Sequence, residues 1–289
     1  MVTSGGSITV RRPPFRFNRE FPVHYYKGNP IVTHIINAFH VIFPAGEKFF
    51  IRAVNRYAAQ VTDHELKERI RAFAGQETQH MAQHQKFYEI LRAQGFPVDE
   101  IVKEYEEHAY GVIEPMVMSL FDRIFGPKSG DAIALSVTAA LEHYTASLAE
   151  VALRHREMFS ELDGELAHLL QWHAAEEIEH KSVTFDLFQE VDGRYPMRMA
   201  GFVIGSIALF AYASISAIKF LRYDRHIDWG KMPLLSAKAM VQLFFLGMEM
   251  ARALLPYVRF DFHPDDIDNR ELAEKYFAEY EAYFLAKAS

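Results

Sequence analysis

The sequence predicts an all-α fold, a four-helix bundle with a crossover helix and a C-terminal helical extension. Three observations point there. Apolar residues recur at helical spacing through nearly everything after residue 30, and strand-type alternation is scarce. Gly and Pro cluster at a few separators instead of being spread along the chain. Hydrophobic residues at 50% and charged residues at 24% describe a core-forming chain, and 289 residues suffice for one large helical domain.

The elements follow in order. Residues 1–29 read as an extended arm. Arg11, Arg12, Arg16 and Arg19 stand beside Pro13 and Pro14, with no apolar run, so the segment is not a secretory signal and a cytoplasmic location is the expectation. Helices are expected at about 30–60, 63–94, 98–125, 131–156 and 161–191. Pro44 should kink or interrupt the first. Thr62 with Glu65 has the form of a capping box for the second. Gly95-Phe96-Pro97, the run Gly126–Gly130, and Asp192-Gly193 with Pro196 end the second, third and fifth. If 98–125 carries the chain back across the bundle, the four longer helices have ferritin-like connectivity over residues 30–191. Residues 192–289 form the extension, with helices at about 197–222, 233–256 and 268–287.

Composition removes several kinds of function. A net charge of −7 with both signs dispersed argues against nucleic acid. The absence of cysteine excludes disulfides, thiolate catalysis and cysteine-ligated iron–sulfur clusters. No flavin or nicotinamide motif is evident, so a redox enzyme of this sequence would take electrons from an external donor protein.

The chemistry lies in a pattern that occurs twice. Glu47 is the only acidic residue between Glu20 and Asp63 and is embedded in apolar sequence; thirty residues later comes Glu77-x-x-His80. Glu142 sits in the middle of an apolar helix, and thirty-five residues later comes Glu177-x-x-His180. Residues at i and i+3 share a helix face, so each pair offers a carboxylate and an imidazole to one ion. A lone Glu on each of two further helices can bridge or terminally ligate a metal pair. Four carboxylates nearly neutralise two divalent ions, and carboxylate with imidazole suits iron or manganese. Small residues near Glu142 (Thr138, Ala139, Thr145, Ala146) would leave room for a cluster or a substrate. Glu165/His168 has the same spacing but no lone-Glu partner, lies about 120° around its helix from Glu177, and reads as surface.

Gly46-Glu47-Lys48-Phe49-Phe50, Gln76-Glu77-Thr78-Gln79-His80 and Glu176-Glu177-Ile178-Glu179-His180-Lys181 resemble a bacterial family labelled predicted metal-dependent hydrolase, over most of the chain. Their pattern is similar to that of the ferritin-like di-iron carboxylate proteins. The resemblance implies Glu47, Glu77, His80, Glu142, Glu177 and His180 as ligands of two iron or manganese ions. The hydrolase label and the di-iron pattern imply different reactions. The expectation here is an oxygen-activating oxidoreductase acting on an apolar organic substrate, with a metal-dependent hydrolase and a ferroxidase or metal-storage protein as alternatives.

Two features lie outside that pattern. His40, His84 and His173 each stand seven residues from a ligand candidate, displaced toward one end of the bundle. They read as a third metal site or a polar cluster passing protons, or alternatively as separate core histidines bonded to backbone. His143 points to another face and is not expected to ligate. Met199–Ile218 carries no charge, long enough for a membrane span, with Gly201 and Gly205 allowing close helix contact. Lys238, Glu249 and Arg252 interrupt the next helix. The favoured reading is a buried helix pair packed on the bundle or across a homodimer; contact with the inner membrane through 199–218 is the alternative. Tyr276, Phe277, Tyr280, Tyr283 and Phe284 read as a docking stripe on the last helix.

Overall fold

A computed structural model describes residues 8–17, 20–160 and 162–288, with side chains as far as residue 281. Among the described residues the fold is all-α, without strands. The helices are α1 (Pro30–Ala58), α2 (His64–Ala93), α3 (Val98–His108), α4 (Glu114–Phe125), α5 (Ser129–Arg154), α6 (Gly164–His180), α7 (Val183–Val191), α8 (Tyr195–Tyr223), α9 (Met232–Leu254) and α10 (Arg270–Ala288).

Local chemistry sets most of these boundaries. Asn29 caps α1, its side chain accepting from the Ile31 and Val32 amides, and Pro30 starts the helix where no amide is needed. α1 runs unbroken through Pro44, against the expected interruption; its helix mates on both sides hold it. α2 is capped by Asp63 and not by Thr62. The Asp63 carboxylate accepts the Leu66 amide at 3.0 Å, the charged acceptor prevailing over the hydroxyl. The stretch expected as one helix over 98–125 is divided by a π turn, Ala109–Ile113. Pro115 cannot donate to Gly111, and the ladder slips one residue just before it. The helix expected over 161–191 breaks at Lys181-Ser182, where tertiary bonds take over. Lys181 Nζ donates to Ile267 O at 2.6 Å and Asn269 Oδ1 at 2.8 Å, and Ser182 Oγ accepts from Arg69 at 2.8 Å.

α5 is the hub, with α4, α6, α7 and α8 packed around it, while α1 pairs with α2 and also supports α8. Gly201 explains how α8 comes so close to α5. A Cβ there would lie 2.7 Å from the Ser136 Cβ, and Ser136 Oγ donates to Met197 O at 2.8 Å. His24 and His34 both donate to Asp224 Oδ2, at 2.6 and 2.8 Å, tying the end of α8 to the start of α1.

Within the single chain, α8 packs on α5 and α1, but its own bundle does not bury α8 and α9 as the expected pair. Only one stripe of α8 faces the bundle, and of α9 only Ala239 is buried. Apolar residues spread around both helices, so one bundle surface cannot cover them all. On α10, Tyr276 is buried, with Phe277 and Tyr280 packed beside it; the Tyr283 and Phe284 side chains lie outside the described residues.

Two hydrophobic clusters occupy the two ends of the bundle. One holds Val41, Ile42, Phe87, Ala149, Trp172 and Ile178; the other holds Phe49, Phe50, Phe73, Ala139, Val183 and Phe188. Along α1, α2, α5 and α6 the changeover falls at Glu47, at Glu77 to His84, at Glu142 and at His180. The polar residues therefore form a waist between two dry cores.

Candidate metal centre

Glu47, Glu77, His80, Glu142, Glu177 and His180 meet in this waist, all of them buried. Glu77 and Glu177 lie between the two histidines. Glu77 Oε1 is 3.2 Å from His180 Nε2 and 3.8 Å from His80 Nδ1. Glu177 Oε2 is 3.4 Å from His180 Nε2, while its Oε1 is 3.6 Å from His80 Nδ1. Glu142 stands on the His180 side at 3.1 Å. Glu47, Glu77 and His80 bring donor atoms within 4.8 Å of one another, as do Glu77, Glu142 and His180.

The inward atoms are unpartnered. Both oxygens of Glu47, Glu77 and Glu142, together with His80 Nδ1 and His180 Nε2, are buried without a hydrogen-bond partner among the described residues. Leaving such groups unsatisfied is costly, and these all point at one another. Burial pushes the Glu47 and Glu77 carboxyls well above the ordinary range and the Glu142 carboxyl up to about 7. Glu177 goes the other way. Burial would raise it, but His180 and His173 facing it hold it well below. Four such carboxylates can ionise together only beside added positive charge. Hard oxygen and imidazole donors of this number fit two divalent cations of the iron or manganese type.

Each outward atom, by contrast, is bonded, and the partners come from the opposite motif. His180 Nδ1–H donates to Gln76 Oε1 at 2.9 Å, and His80 Nε2–H donates to Glu176 Oε2 at 3.0 Å. Burial holds His80 well below its ordinary value, so it carries one N–H and its Nδ1 lone pair is aimed inward. Burial would lower His180 too, but Glu177 and Glu142 hold it well above its ordinary value, so its inward Nε2 would donate a lone pair once a bound cation displaces that proton. Gln76 is fixed in turn, its amide donating to Glu179 Oε2 at 2.8 Å and Thr9 O at 3.0 Å. Glu176 also accepts from Trp172 Nε1 and Arg11 Nη1, each at 3.1 Å. Arg11 further grips Glu179. Thr145 Oγ1 donates to Glu177. Sequence reasoning gave no role here to Gln76, Glu176 or Arg11 and took Thr145 only as a small residue, though one signal was there: both motifs place Gln or Glu immediately before the first Glu.

His40, His84 and His173 form a row bonded to one another, and not a set of separate histidines bonded to backbone. His40 Nδ1 and His84 Nδ1 are 2.8 Å apart, His84 Nε2 and His173 Nδ1 2.7 Å, and His173 Nε2 and Glu177 Oε1 2.8 Å. The Glu177 carboxylate can only accept, so every N–H in the row points toward it and His40 Nε2 is left unpartnered. Burial pushes His40 down to about 3 and His84 well below its ordinary value, which keeps those two rings neutral. Glu47, His84 and His173 also form a donor set within 4.8 Å. His143 stacks on Tyr257 in a separate apolar cluster, away from the centre. Glu165 and His168, expected at the surface, are half-buried away from the centre: Glu165 accepts the Arg16 amide at 3.2 Å and His168 packs under Tyr276 of α10.

Two apolar cavities reach the centre. One, of about 130 Å³, runs from Glu47 and Glu177 past Tyr110 to Ile204 and Ala208 of α8. The other, of about 190 Å³, runs from Glu177 and His173 past Phe39 to Leu243 and Leu246 of α9. They share Phe43, Thr145 and Glu177.

Among known proteins, the family described as "Predicted metal-dependent hydrolase" matches residues 9–268. No curated protein and no solved structure matches.

Proposed function

We propose a dinuclear metal enzyme for this chain, which belongs to the predicted metal-dependent hydrolase family. The observation that carries the reading is the convergence of unpartnered, buried carboxylate and imidazole atoms on one space. Glu77 and Glu177 stand where each faces both histidines, and Glu142 and Glu47 close the two sides. When bound, the two metals would supply either an activated water and a polarised scissile bond or, as iron, electrons for dioxygen.

The family description supports hydrolysis, and we take a hydrolase of an apolar ester or amide as the first reading of the reaction. The cavity supports a second reading, oxidation by dioxygen of an apolar organic substrate, because its lining is mostly apolar, with Glu47, Glu114, Thr145, Glu177, Tyr105, Tyr110 and Tyr212 as its polar side chains. That reading needs an external electron donor. Under either reading the chain's own residues do similar work. The apolar walls exclude water. Thr145 and His173 fix the Glu177 carboxylate, and Gln76 and Glu176 fix the ring nitrogens. The His173–His84–His40 row offers a proton a path to or from Glu177. A third ion at Glu47, His84 and His173 would convert part of that row into ligands.

Elemental analysis of protein purified without added metal tests the centre, with two ions per chain expected, or three if the row ligates. Glu142→Ala and His180→Ala should fold and lose metal. A folded parent protein that takes up neither Fe(II), Mn(II) nor Zn(II) would overturn the proposal. Anaerobic cleavage of long-chain nitrophenyl esters would favour hydrolysis; substrate-dependent oxygen uptake would favour the second reading; oxygen uptake with Fe(II) alone would indicate ferroxidase activity.

A further inference from the structure

The outward faces of α4, α8 and α9 are apolar and uncovered. Met240 is 71% exposed, Ile207 65% and Phe244 63%, with Met116 and Leu120 of α4 also exposed. Among the described residues, α8 and the segment Met232–Val258 are long and apolar enough to cross a membrane, with mean hydropathies of 1.9 and 1.3. Continuous apolar surface of this kind marks a place that something else covers.

The turn between α8 and α9 indicates what covers it. Tyr223 and Trp229 are exposed there, Trp229 at 73%. Arg222 and Arg225 flank them with no ion pair among the described residues. Exposed Tyr and Trp together with Arg at the end of apolar helices suit the headgroup level of an anionic bilayer.

The cavities supply an independent argument. The first ends under α8 and the second under α9, and they meet at Phe43, Thr145 and Glu177. On the outer side of the first, α4 and α8 each lean on α5 and leave a seam between them. A second copy docked on this face would seal both cavities, whereas a bilayer would feed them. Two apolar cavities that abut at Phe43, Thr145 and Glu177 accommodate an extended alkyl chain better than a compact molecule.

We propose that the α8–α9 face seats on an anionic lipid bilayer and that a long-chain alkyl lipid passes from it into the cavities beside Glu177. The second half rests on the metal-enzyme reading above; the docking does not.

Flotation of the metal-loaded full chain with phosphatidylcholine/phosphatidylglycerol vesicles tests the docking. Co-flotation is expected, weaker on phosphatidylcholine alone, together with a blue shift from Trp229. The other of the two tryptophans, Trp172, is already fully buried and should not respond. Phe244→Glu with Phe245→Glu should abolish flotation and leave metal content unchanged. Fluorescent cis-parinaric acid tests the alkyl chain. Ala208→Trp should weaken its binding about tenfold or more, close to 1.4 kcal/mol, while flotation and metal content persist. A chain left at the bottom of the gradient with both vesicle types overturns the docking, as does a dimer that the Phe244/Phe245 variant converts to monomer. Parinaric acid binding that Ala208→Trp leaves unchanged overturns the alkyl assignment. Flotation by a chain that takes up no metal would refute the enzyme reading and leave the docking standing.

Discussion

Glu176→Gln isolates the orientation of one histidine. The Glu176 Oε1 atom accepts from Trp172 and Arg11, each at 3.1 Å, and both are obligatory donors. The carbonyl of a glutamine must therefore stay on that side, which places its NH2 where Oε2 faced His80 at 3.0 Å. His80 Nε2 would then have to accept, and its single proton would move to Nδ1. That atom points inward, 3.6 Å from Glu177 Oε1 and 3.8 Å from Glu77 Oε1. A protonated nitrogen cannot ligate, so the substitution removes a donor without removing a ligand side chain. Losing an outer partner of a metal-bound histidine typically costs 10- to 100-fold in affinity, about 1.4–2.7 kcal/mol. Competition against a chromophoric chelator with Zn(II), alongside a melting curve, measures this directly, and Glu165→Gln on the same helix serves as an unaffected control. Parent-like affinity in a folded Glu176→Gln protein would show that His80 Nδ1 is not a donor.

Three further outcomes are expected. The Glu142 carboxyl, raised from 4.5 to about 7, keeps a proton in the folded metal-free chain that the unfolded chain has already released. Its contribution is fully present below pH 4.5 and lost as pH rises to about 7, on the order of 3 kcal/mol. Urea titrations at acidic and alkaline pH should show this decline without metal and not with it; a metal-free protein more stable at alkaline pH would contradict it. His84→Ala breaks both inner bonds of the histidine row and should cost about 1–3 kcal/mol. It should lower activity while the main metal pair stays loaded, and unchanged turnover would remove the row from the mechanism. Phe43→Ala joins the two cavities at a cost of about 2–3 kcal/mol for a partly buried ring. Parinaric acid analogues of different chain length should then bind with less discrimination, which a binding series would reveal.

Much of the site was legible because its spacing is helical. Glu77 with His80 and Glu177 with His180 share faces by arithmetic alone, and the isolation of Glu47 and Glu142 in apolar sequence marked them as inward. Gly201 showed itself through the absence of a side chain that close packing on Ser136 requires. What escaped notice depends on contacts between distant segments. No Gly or Pro announces the break at Lys181-Ser182, which is fixed by bonds to residues 267 and 269. The partnership of Gln76 with His180 crosses from one motif to the other, and periodicity within a helix carries no information about it. The exposure of α9 could not be read either, because an apolar helix looks the same in sequence whether its cover comes from its own chain or from outside.

The reciprocal bonds have one more consequence. Gln76 reaches His180 and the equivalent Glu176 reaches His80, so position i of one motif touches position j of the other, and the converse holds as well. This is the rule of an isologous interface between identical subunits, here written within a single chain. The helical hairpins that carry the two motifs behave as the halves of an internal dimer, and neither can orient its own histidine. The N-terminal arm breaks that two-fold relation, since Thr9 and Arg11 reach the supports of both histidines from one side. A cut after residue 12 would leave every proposed ligand in place and loosen both imidazoles together. The completeness of the centre is thus a property that the folded arm confers.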